Sequence, residues 1–109
     1  MRILMIEDDD SVALSVKGAF EISGHEVMWL TSGWRAEEFI GDYTPDVVLC
    51  DWDLGIYDRR NGAVICSVLR DSGCPARFII MSGLDREVPE WCEFVSKGNF
   101  PKLLKMVGK

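Results

Sequence analysis

The chain has one histidine, two tyrosines and no apolar run longer than five residues among its 109 positions. A membrane-crossing helix takes roughly 20 consecutive apolar residues, so no such span is expected. The four cysteines, Cys50, Cys66, Cys74 and Cys92, form no C-x-x-C pair and have no histidine cluster beside them. Zinc-site spacing is therefore missing, and the cysteines read as reduced core thiols. Positive charge is scarce too: 12 Lys and Arg stand against 18 Asp and Glu, a net charge of −6. Such a surface repels phosphate backbones, so direct nucleic-acid binding is not expected. The opening apolar run ends at Glu7, too early for a secretory signal. We read a soluble, cytoplasmic protein. No repeat or Ser/Gly/Pro-rich linker divides the chain, so one domain over residues 1–109 is expected. Its 48% hydrophobic content builds a core without a disulfide or metal staple.

What is present is alternation. Ile3-Leu4-Met5-Ile6 is short and wholly apolar, the pattern of a strand buried on both faces. Asp10 or Ser11 is placed to cap a helix with Val12, Val16, Ala19 and Phe20 on one side, and Gly24 stands where a helix end takes a left-handed residue. Val27 to Leu30 reads as a second strand, Trp34 to Ile40 as a short helix ended by Gly41, and Val47 to Cys50, after Pro45, as a third strand. Asp53 to Asn61 is polar and loop-like. Gly62 to Leu69 reads as a helix stopped by Gly73 and Pro75, and Phe78 to Met81 as the fourth strand. Phe94-Val95 is a short fifth, and Pro101 opens the last helix. This order predicts an α/β domain, a doubly wound parallel sheet of five strands with helices on both faces. Ligands of such sheets bind beyond the carboxyl ends of the strands.

Those ends carry an unusual set of side chains. Glu7-Asp8-Asp9-Asp10 follows the first strand, Asp51 the third and Ser82 the fourth, and Lys97 comes off the fifth. Two carboxylates about 4 Å apart repel by roughly 1 kcal/mol in water and about 4 kcal/mol at an effective dielectric near 20. Gathering several takes a cation or a raised pKa. Oxygen ligands without nearby His or Cys favour Mg²⁺ or Mn²⁺ over zinc. Carboxylate, metal, ammonium and hydroxyl are together the parts that move a phosphoryl group onto Asp51, with Lys97 neutralising its oxygens and Ser82 donating to one. Singly, each has a plainer reading: Asp8 to Asp10 as helix-terminal charge, Ser82 as a turn residue, Lys97 as a solvated cation. Joint placement at four strand ends is what argues for a site.

These segments resemble the receiver domain of bacterial response regulators. Ile3 to Asp9 is similar to that family's first strand and acid pair, and Pro45 to Asp51 to its third strand and phosphoacceptor. Phe78 to Gly83 is similar to the fourth strand with its switch hydroxyl, and Phe94 to Lys97 to the fifth with its aromatic switch and lysine. The resemblance implies a flavodoxin-like strand order 2-1-3-4-5. It implies a phosphorelay protein of a two-component system that assists its own phosphorylation and dephosphorylation rather than acting as an enzyme on a separate substrate. Carried over by position, Asp51 is the phosphoacceptor, and Glu7, Asp8, Asp51 and the backbone carbonyl of Asp53 hold Mg²⁺. Lys97 pairs with Asp51 and then with its phosphate, Ser82 turns toward the phosphoryl group, and Phe94 moves inward. The implied partners are a sensor histidine kinase or His-phosphotransfer protein and a downstream protein.

The chain departs from the family pattern in three places. The segment from Asp51 to Gly62 carries a charged insert, Asp58-Arg59-Arg60-Asn61. The segment from Ser82 to Phe94 is short, so the fourth helix is expected to shrink to a turn or loop. Gly98 stands where a proline often follows the family lysine. Arg59-Arg60 reads as a solvated pair bordering the acidic site, with steering of a partner as the alternative. His25 reads as inert. Trp29, Trp34 and Trp91 read as packing residues, with an exposed partner contact as the alternative for Trp91, and Trp52 as either packing or a shield over the acyl phosphate. Two rival functions use the same residues. A pseudo-receiver keeps the fold without switching. A haloacid-dehalogenase-type phosphatase shares the pattern Asp51-Trp52-Asp53, but in that family the nucleophile strand comes first and the acid pair late.

Overall fold

The computed structural model describes residues 1–108; Lys109, the end of the expected domain, lies outside the described residues. The elements run β1 (Arg2–Ile6), α1 (Asp10–Ile22), β2 (Glu26–Leu30), α2 (Gly33–Tyr43), β3 (Val47–Asp51), α3 (Gly62–Asp71), β4 (Arg77–Ser82), β5 (Cys92–Ser96) and α4 (Phe100–Val107). A single 3-10 turn, Gly55–Tyr57, interrupts the polar segment before α3. All strand pairs are parallel, in the order β2-β1-β3-β4-β5.

Successive strand residues point to opposite sheet faces, and both faces are covered. Ile3, Met5, Val47, Leu49, Ile79, Met81 and Val95 meet Ala13, Val16 and Phe20 of α1 and Leu103 and Val107 of α4. Leu4, Ile6, Val48, Cys50, Phe78 and Ile80 meet Ala36 of α2 and Ile65, Cys66 and Leu69 of α3. Each such aliphatic or aromatic side chain stabilises the fold by about 1.5–3 kcal/mol on burial. That is why the strands read as unbroken apolar runs rather than as alternation.

Several local expectations are corrected. Asp9, not Asp10 or Ser11, caps α1; its carboxylate accepts from the N–H groups of Ser11 and Val12. Helix α2 runs past Gly41 to Tyr43 and ends at Thr44, which takes a left-handed φ of 47°. Tertiary packing overrides the glycine: Tyr43 is buried, and its hydroxyl donates to the carbonyl of Ile3. Strand β5 has five residues, because Cys92 and Phe94 pair with Phe78 and Ile80 of β4.

Among the described residues no helix connects β4 to β5. The expected turn or loop is a loop, and Trp91 packs against the α2–α3 core at Phe78. Its ring meets Phe78 edge-on at 5.5 Å between centroids, with the Arg70 guanidinium 4.7 Å above it. Trp91 is thus half-buried packing and not an exposed contact. No helix of the described residues is long and apolar enough to cross a membrane.

Candidate functional site

Register and pleat bring the site together. Ile6 pairs with Cys50, so Glu7 follows level with Asp51; Asp51 pairs with Met81, and Ser82 with Ser96. Carrying the alternation of Met5, Leu49 and Val95 onward puts Glu7, Asp51 and Lys97 on the α1–α4 side of the sheet. Ser82 continues the alternation of Phe78 and Ile80 and faces the other way. The contacts agree. Lys97 Nζ lies 2.7 Å from Asp51 Oδ2 and 2.9 Å from Glu7 Oε1. Asp51 Oδ1 accepts the N–H of Asp53 at 3.3 Å.

Glu7 is fully buried, and apart from the Lys97 ammonium beside Oε1 its carboxylate oxygens have no hydrogen-bond partner. Its backbone is fixed from both sides: its N–H donates to Leu30, and its carbonyl accepts from the Trp29 indole at 2.8 Å. Burial, and then the contact with Asp51, push the Glu7 carboxyl up to about 8 against the opposing pull of Lys97. Burial also raises Asp8. For Lys97, burial works against the charge, but the two carboxylates outweigh it and the ammonium is held above its ordinary value.

Glu7, Asp8 and Asp51 each offer an oxygen within 4.8 Å of the others. Three carboxylates, with the buried Glu7 oxygens partnered by nothing but the Lys97 ammonium and no sulfur or imidazole donor beside them, fit a hard divalent cation such as Mg²⁺. The cluster opens into a cavity of about 340 Å³, also lined by Asp53, Ser82, Arg86 and Lys97. Asp53 is exposed, and its side chain accepts from Gly55 N–H at 2.9 Å. Gly55 holds φ at 60°, and Gly62 lies so close to β3 that a Cβ there would stand 2.7 Å from the Asp51 carbonyl oxygen. Phe94 is half-buried against the α2–α3 core.

Two groups escape the sequence reading. Ser82 Oγ accepts from Leu84 N–H at 3.1 Å and from Arg86 Nε at 3.3 Å, and the Arg86 guanidinium lies 5.1 Å from the centre of the half-buried Trp52 ring. The signal was the shortness of the Ser82–Phe94 segment, which keeps any cation within it near the site. Of the Arg59-Arg60 pair, Arg59 is exposed as expected, but Arg60 is not a solvated charge. Asp58 is buried and accepts from Gly33 N–H at 3.0 Å and from Arg60 Nε and Nη2 at 3.0 and 2.8 Å. Arg60 also bonds Glu37 at 2.9 Å and stacks 3.5 Å over the Trp34 ring. The insert therefore staples the β3–α3 loop to the start of α2, and Trp34, over half exposed, is the base for that stack rather than a core residue. His25 is buried, with one ring nitrogen 3.1 Å from the Met1 nitrogen and the other 3.1 Å from the Gly108 carbonyl. It links Met1 and Gly108 to the body of the domain, away from the site.

The family model for the response regulator receiver domain matches residues 3–109. The chain is similar to the response regulator MprA of Mycobacterium sp. (strain KMS), 27% identical over 85 residues, which is 78% of this chain and 36% of that protein. It thus spans about a third of the length of the curated relatives it matches. Among solved structures, the CheY-like receiver domain from Methylobacillus flagellatus superposes with a TM-score of 0.83 at 22% identity, covering 98% of this chain and 95% of that one. The receiver domain of the Francisella response regulator 1452 gives 0.82 at 22% identity, over 97% and 92%. At such identity the structural likeness speaks for the fold.

Proposed function

Because the chain belongs to the response regulator receiver family of two-component systems, we propose that it is a phosphorelay receiver: Asp51 takes a phosphoryl group from a phosphohistidine of a sensor kinase or phosphotransfer protein. The change then alters binding of a downstream protein. The observation that carries this reading is the Lys97 ammonium held between Asp51 and Glu7, at 2.7 and 2.9 Å, in an open acidic cavity.

The chemistry follows from the residues. An oxygen of the Asp51 carboxylate attacks phosphorus as the bond from phosphorus to the donor nitrogen breaks, and that nitrogen keeps the electron pair. Glu7, Asp8, Asp51 and the backbone carbonyl of Asp53 would hold Mg²⁺, or Mn²⁺, which when bound supplies positive charge to the phosphoryl oxygens. Lys97 stabilises the charge that develops on those oxygens, and its strong preference for the charged form keeps it available at any physiological pH. Ser82 has an O–H free to donate once its oxygen turns toward the phosphoryl group. Phe94, only half-buried, has room to move into the space Ser82 leaves. Asp51 is altered once per cycle, so the protein is a phosphoacceptor rather than a turnover enzyme.

Intact-mass measurement after incubation with acetyl phosphate and Mg²⁺ tests the reading. The parent is expected to gain one phosphoryl group and Asp51→Asn none; a gain in both would mean that the acceptor is another residue. The helix-free connection between β4 and β5 favours a second reading, a pseudo-receiver that docks partners without switching. Trp52 emission unchanged by millimolar Mg²⁺ would support it.

A further inference from the structure

The phosphoryl group brings about two negative charges and three strong acceptor oxygens into a cavity lined by Asp8, Asp9, Asp51 and Asp53. Lys97 is the cation assigned to meet them, but its single ammonium already contacts two carboxylates. One other cation lines the same cavity, Arg86. Among the described residues it has no carboxylate within ion-pair distance, although acids surround the cavity. Its Nε is spent on a long hydrogen bond to Ser82 Oγ, 3.3 Å, and its guanidinium leans on the Trp52 ring at 5.1 Å.

We propose that Arg86 is a second phosphoryl-binding residue of this site, and that by leaving Ser82 and Trp52 for the phosphoryl oxygens it sets the switch hydroxyl free. The proposal rests on Asp51 being the phosphoacceptor. Arg86 sits four residues after Ser82 in the short loop that replaces a helix, so the loop's shortness is what delivers it to the cavity. A guanidinium presents a planar fork that fits two phosphoryl oxygens at once, which a lysine cannot do.

Magnitudes favour the move. A cation over an aromatic ring at a half-exposed site contributes about two- to fivefold in an equilibrium constant. A hydrogen bond to a charged oxygen contributes about ten- to a hundredfold. The present contacts of Arg86 are therefore weaker than those a phosphoryl group offers. Trp52 reports the departure, since it loses the cation from its face.

Beryllofluoride with Mg²⁺, a stable phosphoryl mimic, is the probe, titrated against the whole chain by tryptophan fluorescence. Trp52→Phe identifies which part of the signal is Trp52. Arg86→Gln is expected to lose the Trp52 change and, with binding followed by isothermal titration calorimetry alongside fluorescence, to bind beryllofluoride about tenfold more weakly. On long incubation it should still gain one phosphoryl group from acetyl phosphate, more slowly than the parent, because Asp51 and Lys97 are untouched. Arg86→Lys should recover part of the affinity but not all of it. Arg59→Gln, which removes a nearby exposed charge outside the cavity, controls for general electrostatics and should stay within about twofold of the parent. The proposal is overturned if Arg86→Gln binds like the parent, or if Arg59→Gln weakens binding as much as Arg86→Gln does. If the parent neither binds the probe nor gains mass, the phosphoacceptor reading itself fails; if the parent does both and Arg86→Gln matches it, only the role of Arg86 fails.

Discussion

Lys97 and Asp51 lie 46 residues apart in the chain and 2.7 Å apart in space, ammonium to carboxylate oxygen. The two meet because β3 and β5 flank β4 in fixed register and deliver both side chains to one face of the sheet. Its position at the mouth of the acidic cavity makes Lys97 the first residue to test. Lys97→Met should slow phosphorylation of Asp51 by acetyl phosphate by about a hundredfold, the usual scale for losing one preorganised charge-stabilising donor. Mg²⁺ should still bind. A time course by intact mass, with Mg²⁺ titrated separately by fluorescence, measures the two effects independently.

Glu7 supplies a second test through cation removal. Apart from the Lys97 ammonium beside Oε1, its buried oxygens have no hydrogen-bond partner, and a divalent ion bound there would satisfy them. Millimolar Mg²⁺ should raise the melting temperature of the parent, and chelation with EDTA should reverse the rise. Glu7→Gln should abolish the Mg²⁺-dependent increment. A full increment in that variant would remove Glu7 from the ligand set.

Asp58 is the member of the charged insert whose loss should hurt stability most. Asp58→Ala leaves the Gly33 N–H and the Arg60 guanidinium without their shared partner, at a cost of about 1–3 kcal/mol. For a domain of this size that corresponds to a drop of roughly 4–8 °C in melting temperature per kcal/mol. Burial alone would raise the Asp58 pKa, but hydrogen bonds from Arg60 and Gly33 overcome it and hold the carboxyl below its ordinary value. A depressed folded pKa adds stability that is complete above the unfolded value, about 3.9, and is lost as pH falls through the folded value. Melting curves below about pH 4 should therefore decline more steeply for the parent than for Asp58→Ala.

Gly62 tests backbone closeness. A Cβ there would sit 2.7 Å from the Asp51 carbonyl oxygen and 3.2 Å from Trp52 Cα, both main-chain atoms that cannot swing aside. Gly62→Ala should destabilise the fold by about 1–3 kcal/mol and, by displacing β3 at Asp51, slow phosphorylation as well. Gly41→Ala, with open space around its Cβ, is the matched control and should not be destabilising. Parallel denaturant titrations of the two variants make the comparison.

Much of the architecture was legible from local pattern. The runs around Leu4, Val48 and Ile79 are apolar throughout and buried in a sheet covered on both faces, while the apolar run around Met28 lies half-buried on the edge strand. The candidate residues were legible for the same reason, since whatever follows an apolar strand lands on the sheet's carboxyl edge. What local pattern misjudged were contacts between distant segments. Gly41 looked like a helix end, yet burial of Tyr43 carries α2 past it. Arg60 looked solvated, yet its partners Glu37 and Trp34 lie on another helix.

The sequence by itself determined the order of strands and helices, the two-sided core, and which acids, hydroxyl and lysine sit at the strand ends, because side-chain period and hydrophobicity act locally. Only the tertiary structure decided that Lys97 bridges Glu7 and Asp51, that Arg86 reaches Ser82, and that Asp58 staples the β3–α3 loop to α2. Each of these depends on register, loop length and close approach between segments far apart in the chain, and pairings of that kind leave no periodic trace in the residues that make them.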